Sequence, residues 1–354
     1  MSRIASGSAI AGERGIAAPA QTLMQRVFRT LADGAWHSGE QLAAAESISR
    51  SAVGKAVGAL RRQGLAVEAL ARRGYRLPAP QLPLDATRIR AQLGPEARAL
   101  LRNAEVAWSL PSTNGTLLAR GERAGRGAPP AGQFDFLAAE YQTAGRGRRS
   151  RQWFAPPGGA LCLSLGRSFA VLPKDAAALS LAVGVCARRA LAHFTQPLVQ
   201  LKWPNDLLAD GRKLGGILIE LRADGTGPAY AVIGIGINCA LGAASTRRVR
   251  GAGTEPIDLA ALGVEVCDRN RLAAVLISEI VAGVLEFERH GLAAFASEWR
   301  EADALAGRVV SVNMPGGDFV GRARGVAADG ALCVERDGAV RQFYSGEVSV
   351  RAQP

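Results

Sequence analysis

Residues Leu201 to Glu220 read LKWPNDLLADGRKLGGILIE, and this stretch decides how the rest of the chain is to be understood. Lys202-Trp203-Pro204-Asn205-Asp206 is a strand end stiffened by proline that presents an amide and a carboxylate. Asp210-Gly211 is a two-residue hairpin signal. The returning strand carries Lys213 beside Gly215-Gly216. Only four lysines, Lys55, Lys174, Lys202 and Lys213, stand among 43 basic residues, and two of them lie here. A compact ammonium differs from a planar guanidinium, so a lysine kept in an arginine-rich chain marks a place where a point charge is wanted. Lys213 is suited to neutralising a carboxylate and a phosphate that approach each other, with Asp206 orienting it or helping to hold Mg²⁺. Taken singly, Asp206 also suits a turn cap and Lys213 a strand-edge charge.

Upstream, Gln142 to Trp153 reads QTAGRGRRSRQW. Bare glycine amides and guanidinium groups directly after a strand can close around an anion. The run is neither a Walker A loop nor a GxGxxG fingerprint, because GxxxxGK[ST] is absent and Ser150 holds the last glycine's place. A solvated basic loop is the alternative. Pro111-Ser112-Thr113-Asn114 lies between a strand and a helix, where hydroxyls commonly cap. Gly234-Ile235-Gly236-Ile237-Asn238 would let a ligand lie against bare backbone, although close strand packing explains it equally well.

Around these segments the pattern is α+β. Strands are expected at Glu105 to Trp108, Phe136 to Glu140, Leu161 to Leu165, Val199 to Lys202, Ile217 to Leu221 and Ala231 to Ile235. Helices are expected near Thr116 to Ala119 and over Ala176 to Phe194, with a pair at Arg271 to Glu288 and Leu292 to Trp299. The sheet is expected to be largely antiparallel or mixed. After Ala306-Gly307, short strands with turn signals at Pro315-Gly316-Gly317, Asp329-Gly330 and Asp337-Gly338 predict a small β-barrel over residues 304 to 354.

The N-terminal part reads as a winged helix-turn-helix over residues 21 to 80, after a tail at 1 to 20. Thr22 caps a helix through Leu31. Ser38-Gly39-Glu40-Gln41 is a capping box that opens a second helix. Ser49 caps a third, whose apolar side is Val53, Val57 and Leu60. Arg50, Ser51, Lys55 and Arg61 face outwards from it, and Arg72-Arg73-Gly74 turns the wing. Nine basic and four acidic residues between Gln21 and Pro78 make a DNA-binding footprint. A small helical domain with a charged face is the bland alternative. Pro78, Pro80 and Pro83 mark the linker to a central domain at 81 to 303.

With 354 residues and 48% hydrophobic content, the chain has room for several cores and is no disordered polyelectrolyte. Its net charge of +12 favours polyanionic partners without choosing among them. Five dispersed cysteines, no CxxC and three histidines argue against a zinc site or a disulfide framework, and leave buried reduced thiols as the default. No long apolar run and no signal-type leader occur, so the expectation is a cytoplasmic protein without a membrane partner.

The ordered set of SGEQLA at Ser38, STN at Ser112, QTAGRGRR at Gln142, KWPNDLL with RKLGGILIEL, GIGIN at Gly234 and GEVSVR at Gly346 resembles the biotin protein ligase family in its bifunctional repressor form. The likeness covers about residues 21 to 351. It implies a winged helix-turn-helix, a catalytic domain of the class II synthetase-like type and a C-terminal SH3-like β-barrel. The implied reaction makes biotinyl-5′-AMP from biotin and ATP with Mg²⁺. The acyl group then passes to a lysine of the biotin carboxyl carrier domain of acetyl-CoA carboxylase. A ligand-linked homodimer would bind operator DNA.

Carried over by position, Lys213, Arg148 and Asp206 are the catalytic group. Ser112, Thr113, Asn114, Gln142, Arg146, Gly147 and Arg148 bind substrate with Lys213, and Gly145, Trp153, Asn205 and Asn238 lie on the nucleotide side. No residue set is assigned as a metal cage. Ser150 and Gln152 depart from the family's glycine and lysine, and Gly242 to Pro256 lacks the adenine-side tryptophan. Two other readings are a ligand-sensing DNA-binding repressor without ligase activity and a lipoate or other acyl ligase.

Overall fold

The computed structural model describes residues 21–121, 127–173, 175–196, 199–223, 228–242, 245–246, 255–264, 267–314, 317–344 and 349–352. Expectations for the tail 1–20, for Lys174, for most of the segment between Gly242 and Pro256, for Pro315-Gly316 and for the start of the terminal GEVSVR motif fall outside them.

The first unit has helices α1 (Leu23–Leu31), α2 (Gly39–Ala45) and α3 (Arg50–Arg62) and a wing of β1 (Glu68–Leu70) and β2 (Gly74–Arg76). Local chemistry starts each helix. Thr22 with Gln25 and Ser38 with Gln41 form reciprocal capping boxes, and the Ser49 hydroxyl accepts from the Ala52 N–H. Val27, Phe28, Leu31, Leu42, Val53, Val57 and Leu60 make the core. Gly74 has φ +101°, and a β-carbon there would lie 2.0 Å from the His37 carbonyl oxygen, so only glycine lets the wing pack this closely. The unit is seated on the rest of the chain through Trp108, whose ring meets Phe28 with centroids 5.1 Å apart.

After the linker, α4 (Ala86–Gln92) and α5 (Pro95–Leu100) lead into a seven-stranded sheet. Its strands are β3 (Leu101–Leu110), β4 (Phe134–Gln142), β5 (Ala160–Phe169), β6 (Gln200–Lys202), β7 (Asp206–Ala209), β8 (Arg212–Ala223) and β9 (Ala229–Asn238). The order is β3-β4-β5-β9-β8-β7-β6, parallel only between β3 and β4. Helix α6 (Thr113–Gly121) follows β3, α7 (Leu179–Leu191) follows β5, and α8 (Arg269–His290) and α9 (Ala296–Ala302) follow the sheet.

The two faces of this sheet are written into the alternation of its central strands. Leu161, Leu163 and Leu165 on β5, Ile233, Ile235 and Ile237 on β9, and Ile217 on β8 point one way into a continuous core with α7 and α8. Gly184 of α7 lies against Ile217, which places the helices on that side. The opposite face carries Cys162, Ser164 and Gly166, then Gly234 and Gly236, then Gly216, Leu218 and Glu220. In register, Cys162, Gly236, Gly216 and Asp206 form one cross-strand row and Ser164, Gly234 and Leu218 the next. Three of these seven positions are glycine, so this face has a bare floor.

The C-terminal strands are β10 (Val309–Met314), β11 (Gly317–Val326), β12 (Leu332–Arg336), β13 (Ala339–Phe343) and β14 (Ser349–Ala352). They correct the expected SH3-like β-barrel. The order β13-β12-β11-β10-β14 is an open antiparallel sheet, and among the described residues its edge strands β13 and β14 do not pair. A sheet closes on itself when its inner face has nothing else to cover it. Here Val310, Val312, Phe319, Leu332, Val334 and Phe343 join the same hydrophobic core as the central sheet. The Trp203 indole N–H donates to the Gly330 carbonyl at 3.0 Å, tying the two units together beside the KWPND turn. Among the described residues no helix is long and apolar enough to cross a membrane.

Candidate functional site

Lys213 reaches the glycine floor because of one irregularity. Leu207 pairs with Gly215 but Leu208 pairs with Lys213, so Leu214 is an extra residue on β8, buried in the core. This bulge flips the alternation. Without it Lys213 would share the Ile217 side. With it the ammonium lies over Gly216, 3.5 Å from where a β-carbon would stand, and pairs with Asp206 Oδ1 at 2.5 Å. The main chain at Lys213 is held from both sides. Its N–H donates to the Glu255 carbonyl (2.7 Å), and its carbonyl accepts from the N–H of Ile257 (3.0 Å) and the side-chain amide of Asn238 (3.2 Å).

Arg148 comes to the same end of the floor and donates to Asn205 Oδ1 at 3.3 Å. Burial pulls its guanidinium below the ordinary value, Asp206 opposes that shift, and Arg149 and Arg151 add to it. Asn205 is itself held by a 2.7 Å bond from its amide to the Ile217 carbonyl. The loop that delivers the arginines is a small hairpin. Arg151 N–H donates to the Arg148 carbonyl, and Arg149 and Ser150 both have positive φ (55° and 59°). A turn with two left-handed residues favours glycine, so Ser150, standing where the family pattern has glycine, takes a backbone conformation that L side chains rarely adopt. Gly147 N–H donates to the Arg151 carbonyl and Trp153 N–H to the Gly145 carbonyl; a β-carbon on Gly145 would lie 2.3 Å from the Trp153 carbonyl oxygen. The Trp153 indole covers Gly236, 2.6 Å from a β-carbon there, and its N–H is buried without a partner among the described residues.

The other end of the floor has a neutral polar cluster, with Arg146 and Glu220 paired to each other at its edge. Gln142 Oε1 accepts from the Thr113 N–H (2.8 Å) and hydroxyl (3.3 Å), which settles the start of α6. Ser112, Thr113 and Asn114 are each 4% exposed. The Ser164 hydroxyl bridges Thr113 Oγ1 (2.7 Å) and Asn114 Oδ1 (2.6 Å), and Asn114 lies directly over Gly234. The Asn114 amide donates to the Leu218 carbonyl and to Glu220, both at 3.0 Å. Glu220 also accepts from Arg146 at 2.6 Å, and the two line a cavity of about 280 Å³ with Gly115, Leu118 and Arg222.

The residues singled out from the sequence therefore collect on one face in two groups. Asn114 stands over Gly234, with Ser112, Thr113, Gln142 and Arg146 gathered around it. Lys213 and Asp206 stand over Gly216 with Arg148 and Asn205 beside them, and Trp153 covers Gly236 between the two groups. One strand spacing and two residues separate the two glycines, ~8 Å along the floor. Asn238 is 3% exposed and spends its amide on the carbonyls of Lys213 and Ile257, so it braces the site from below. Two residues escaped the sequence reading. Ser164 is the polar member of an alternating Leu-x-Leu-x-Leu strand, and Glu220 is an acid closing an apolar one; each carries a signal once its strand is assigned two faces. Such a floor accommodates a flat molecule with a neutral polar head at one end and a carboxylate meeting a phosphate at the other.

In the winged unit, Arg50, Ser51, Lys55, Arg72 and Arg73 are exposed. Arg61 is exposed too, yet its guanidinium donates twice to the Val67 carbonyl (3.1 and 2.7 Å), fastening α3 to the wing. Arg73 and Arg76 lie over the Trp36 ring at 4.9 and 4.8 Å.

Comparison with known proteins agrees with this division. Residues 22–76 match an HTH domain, 134–238 the biotin/lipoate A/B protein ligase family and 306–351 the biotin protein ligase C terminal domain. The fold resembles that of the biotin protein ligase from Aquifex aeolicus solved with biotin and ATP (TM-score 0.58, 23% identity, 72% of this chain and 99% of that one). The bifunctional ligase/repressor BirA of Salmonella typhimurium is 39% identical over 335 residues, covering 94% of this chain and 98% of the relative. That of Escherichia coli K12 is 38% identical over 333 residues, with the same coverage. With relatives matched along nearly their whole length, the chain belongs to the bifunctional BirA-like biotin ligase/repressor family.

Proposed function

We propose that the chain joins biotin to a lysine of a biotin carboxyl carrier domain through biotinyl-5′-AMP, and acts as a biotin-responsive repressor. The observation that carries the ligase reading is the placement of Lys213 and Arg148 at one end of a glycine floor and the Ser112–Asn114 cluster at the other.

In the first step a carboxylate oxygen of biotin attacks the α-phosphorus of ATP, and pyrophosphate leaves with the electrons of the broken P–O bond. Lys213, set over Gly216, lies where both anions must meet and offsets their combined charge. Arg148 adds a second cation. The neutral cluster of Ser112, Thr113, Asn114 and Gln142 suits the ureido ring, because it offers donors and acceptors without charge. The loop of Gly145, Arg146, Gly147 and Arg148 covers the product and excludes water from a hydrolysable mixed anhydride. In the second step the acceptor amine attacks the acyl carbon, loses its proton and releases AMP.

Trp153 and Asn205 border the nucleotide side, and Asn238 supports Lys213. Among the described residues no group of three or more metal ligands occurs. Asp206, a carboxylate at the charged end, fits a Mg²⁺ ion that would take its remaining ligands from triphosphate oxygens and water and would screen phosphate charge there.

The winged unit presents Arg50, Ser51, Lys55, Arg72 and Arg73 to operator DNA, and a homodimer would bring two such units to two half-sites. We divide the chain into a tail (1–20), a DNA-binding domain (21–80), a catalytic domain (81–303) and a C-terminal domain (304–354), in keeping with the family matches. The test mixes the protein with biotin, ATP, Mg²⁺ and a carboxyl-carrier domain of acetyl-CoA carboxylase. Biotinylated acceptor is expected. Biotin binding without transfer would leave a ligand-sensing repressor, and transfer of lipoate in place of biotin an acyl ligase of different specificity.

A further inference from the structure

Glu220 stands at the edge of the neutral cluster, and the hydrogen bonds that lead away from it allow one arrangement of protons. Its two oxygens face two different donors: Oε2 accepts from the Asn114 amide at 3.0 Å and Oε1 from Arg146 at 2.6 Å. The Asn114 amide also donates to the Leu218 carbonyl at 3.0 Å. A carboxylate and a main-chain carbonyl only accept, so both hydrogens of the Asn114 nitrogen are committed and its oxygen is turned to Ser164. That oxygen cannot donate. The fully buried Ser164 hydroxyl must therefore give its single proton to Asn114 Oδ1, 2.6 Å away.

The same reasoning passes to the next hydroxyl. Ser164 Oγ and Thr113 Oγ1 lie 2.7 Å apart, too close for two lone pairs without a proton between them, and the Ser164 proton is already committed. The Thr113 proton is therefore drawn chiefly to Ser164, and the 3.3 Å bond to Gln142 is the weaker of its two. Thr113 Oγ1 keeps a lone pair to offer an incoming N–H. Gln142 takes the complementary role, since its oxygen accepts from the Thr113 N–H and its amide nitrogen lies toward Gly145. An acceptor beside a donor matches the N–H and carbonyl of a cyclic urea. The dithiolane of lipoate offers neither, and a buried site built for hydrogen bonds rejects a ligand that leaves them unmade.

We propose that Glu220 is a positioning residue for substrate recognition: its carboxylate fixes the direction of the chain Asn114–Ser164–Thr113, so that Thr113 meets the ureido head as an acceptor. The proposal rests on the ligase reading above and names the residue that gives the site its preference for a urea. A carboxylate is needed because both of its ends face donors. Glutamine in its place has one accepting end. That end goes to Asn114, which is only 4% exposed, and the amide nitrogen is left toward Arg146, whose side chain is 47% exposed and has room to turn into solvent. Leucine has no accepting end, and its bulk keeps water from replacing the carboxylate.

The test compares the full-length parent with Glu220→Gln, Glu220→Leu, Ser164→Ala and the double variant Glu220→Leu with Ser164→Ala, by steady-state adenylate formation with biotin and ATP varied in turn. Glu220→Leu should raise the KM for biotin about ten-fold, the worth of one hydrogen bond to a charged group, while kcat and the KM for ATP stay within about two-fold. Glu220→Gln should bring the biotin KM back to within about three-fold of the parent, because its oxygen still accepts from Asn114. Ser164→Ala interrupts the same chain and should raise the biotin KM to a similar extent, so the double variant should be at most about two-fold worse than either single one. The Kd for biotin from calorimetry without ATP should follow the same order, which tests the proposal even where turnover is absent. An unchanged biotin KM and Kd in Glu220→Leu, a glutamine variant as impaired as the leucine one, effects of Glu220→Leu and Ser164→Ala that multiply, or a loss in kcat and ATP affinity equal to that for biotin would overturn the proposal. A parent that neither binds biotin nor adenylates it would instead overturn the ligase reading, and the proposal with it.

Discussion

Replacing Lys213 with alanine removes the ammonium over Gly216 and leaves the β7–β8 hairpin otherwise intact. The side chains of Lys213 and Asp206 are 29% and 20% exposed, so the pair is neither fully solvated nor dry. An ammonium ~4 Å from one anionic oxygen gains ~4 kcal/mol at an effective permittivity of ~20. Asp206 already takes part of that attraction in the resting site. Deleting one aimed donor at a site of charge build-up typically costs about 10²–10³ in kcat, or ~2.7–4 kcal/mol. The same deletion costs the fold little, because a partly exposed ion pair contributes about 0–1 kcal/mol. Lys213→Ala should therefore lose ~10²-fold or more in adenylate formation, read as pyrophosphate release with mass-spectrometric detection of biotinyl-AMP. Its melting temperature should fall by no more than about 4 °C. Lys213→Arg restores charge but not the compact shape, and should recover only part of the rate. A Lys213→Ala protein that forms adenylate within two-fold of the parent would remove this residue from the mechanism.

Further expectations concern the floor, the DNA-binding unit and the junction to the C-terminal sheet. Gly236→Ala sets a methyl 2.6 Å from the Trp153 ring, so the indole must shift. Affinity for a non-hydrolysable ATP analogue, measured by calorimetry, should drop about ten-fold, ~1.4 kcal/mol, with a change in tryptophan fluorescence. Lys55→Ala and Arg72→Ala should each weaken operator binding and lower the salt slope by about 0.9, whereas Arg61→Ala should chiefly destabilise the winged unit by ~1 kcal/mol through loss of its bonds to Val67. Asp303 is pushed above its ordinary value of 3.8 by burial, only partly offset by the Leu305 N–H. Its ionised form is thus worse tolerated in the folded chain than in the unfolded one. Asp303→Asn should raise the melting temperature by about 1–3 °C at pH 7, and the gain should vanish as pH falls through the raised value and then below 3.8.

What could be read from the sequence was local. The Ser38–Gln41 capping box and the Asp210-Gly211 hairpin depend on neighbours in the chain, and both are present as expected. Gly234 and Gly236 looked equally suited to close packing, because a glycine pair carries no label for the face it serves; the alternation of β5, β8 and β9 supplies it. The side on which Lys213 lies turns on the bulge at Leu214, where the sequence KLGG shows no break in pattern. Glu220 acquires its two partners, Asn114 and Arg146, only when three segments distant in sequence meet. The C-terminal turn signals reported hairpins correctly but carried no information on closure, which depends on the core that the neighbouring domain shares with that sheet.

A crystal structure with biotin and a non-hydrolysable ATP analogue tests most directly whether one glycine floor holds both an acid and a triphosphate. The expected structure has the ureido ring against Ser112–Asn114 over Gly234, and the biotin carboxylate and α-phosphate both within hydrogen-bond reach of the Lys213 ammonium over Gly216. Biotin and nucleotide bound at separate sites, or neither within reach of Lys213, would contradict it.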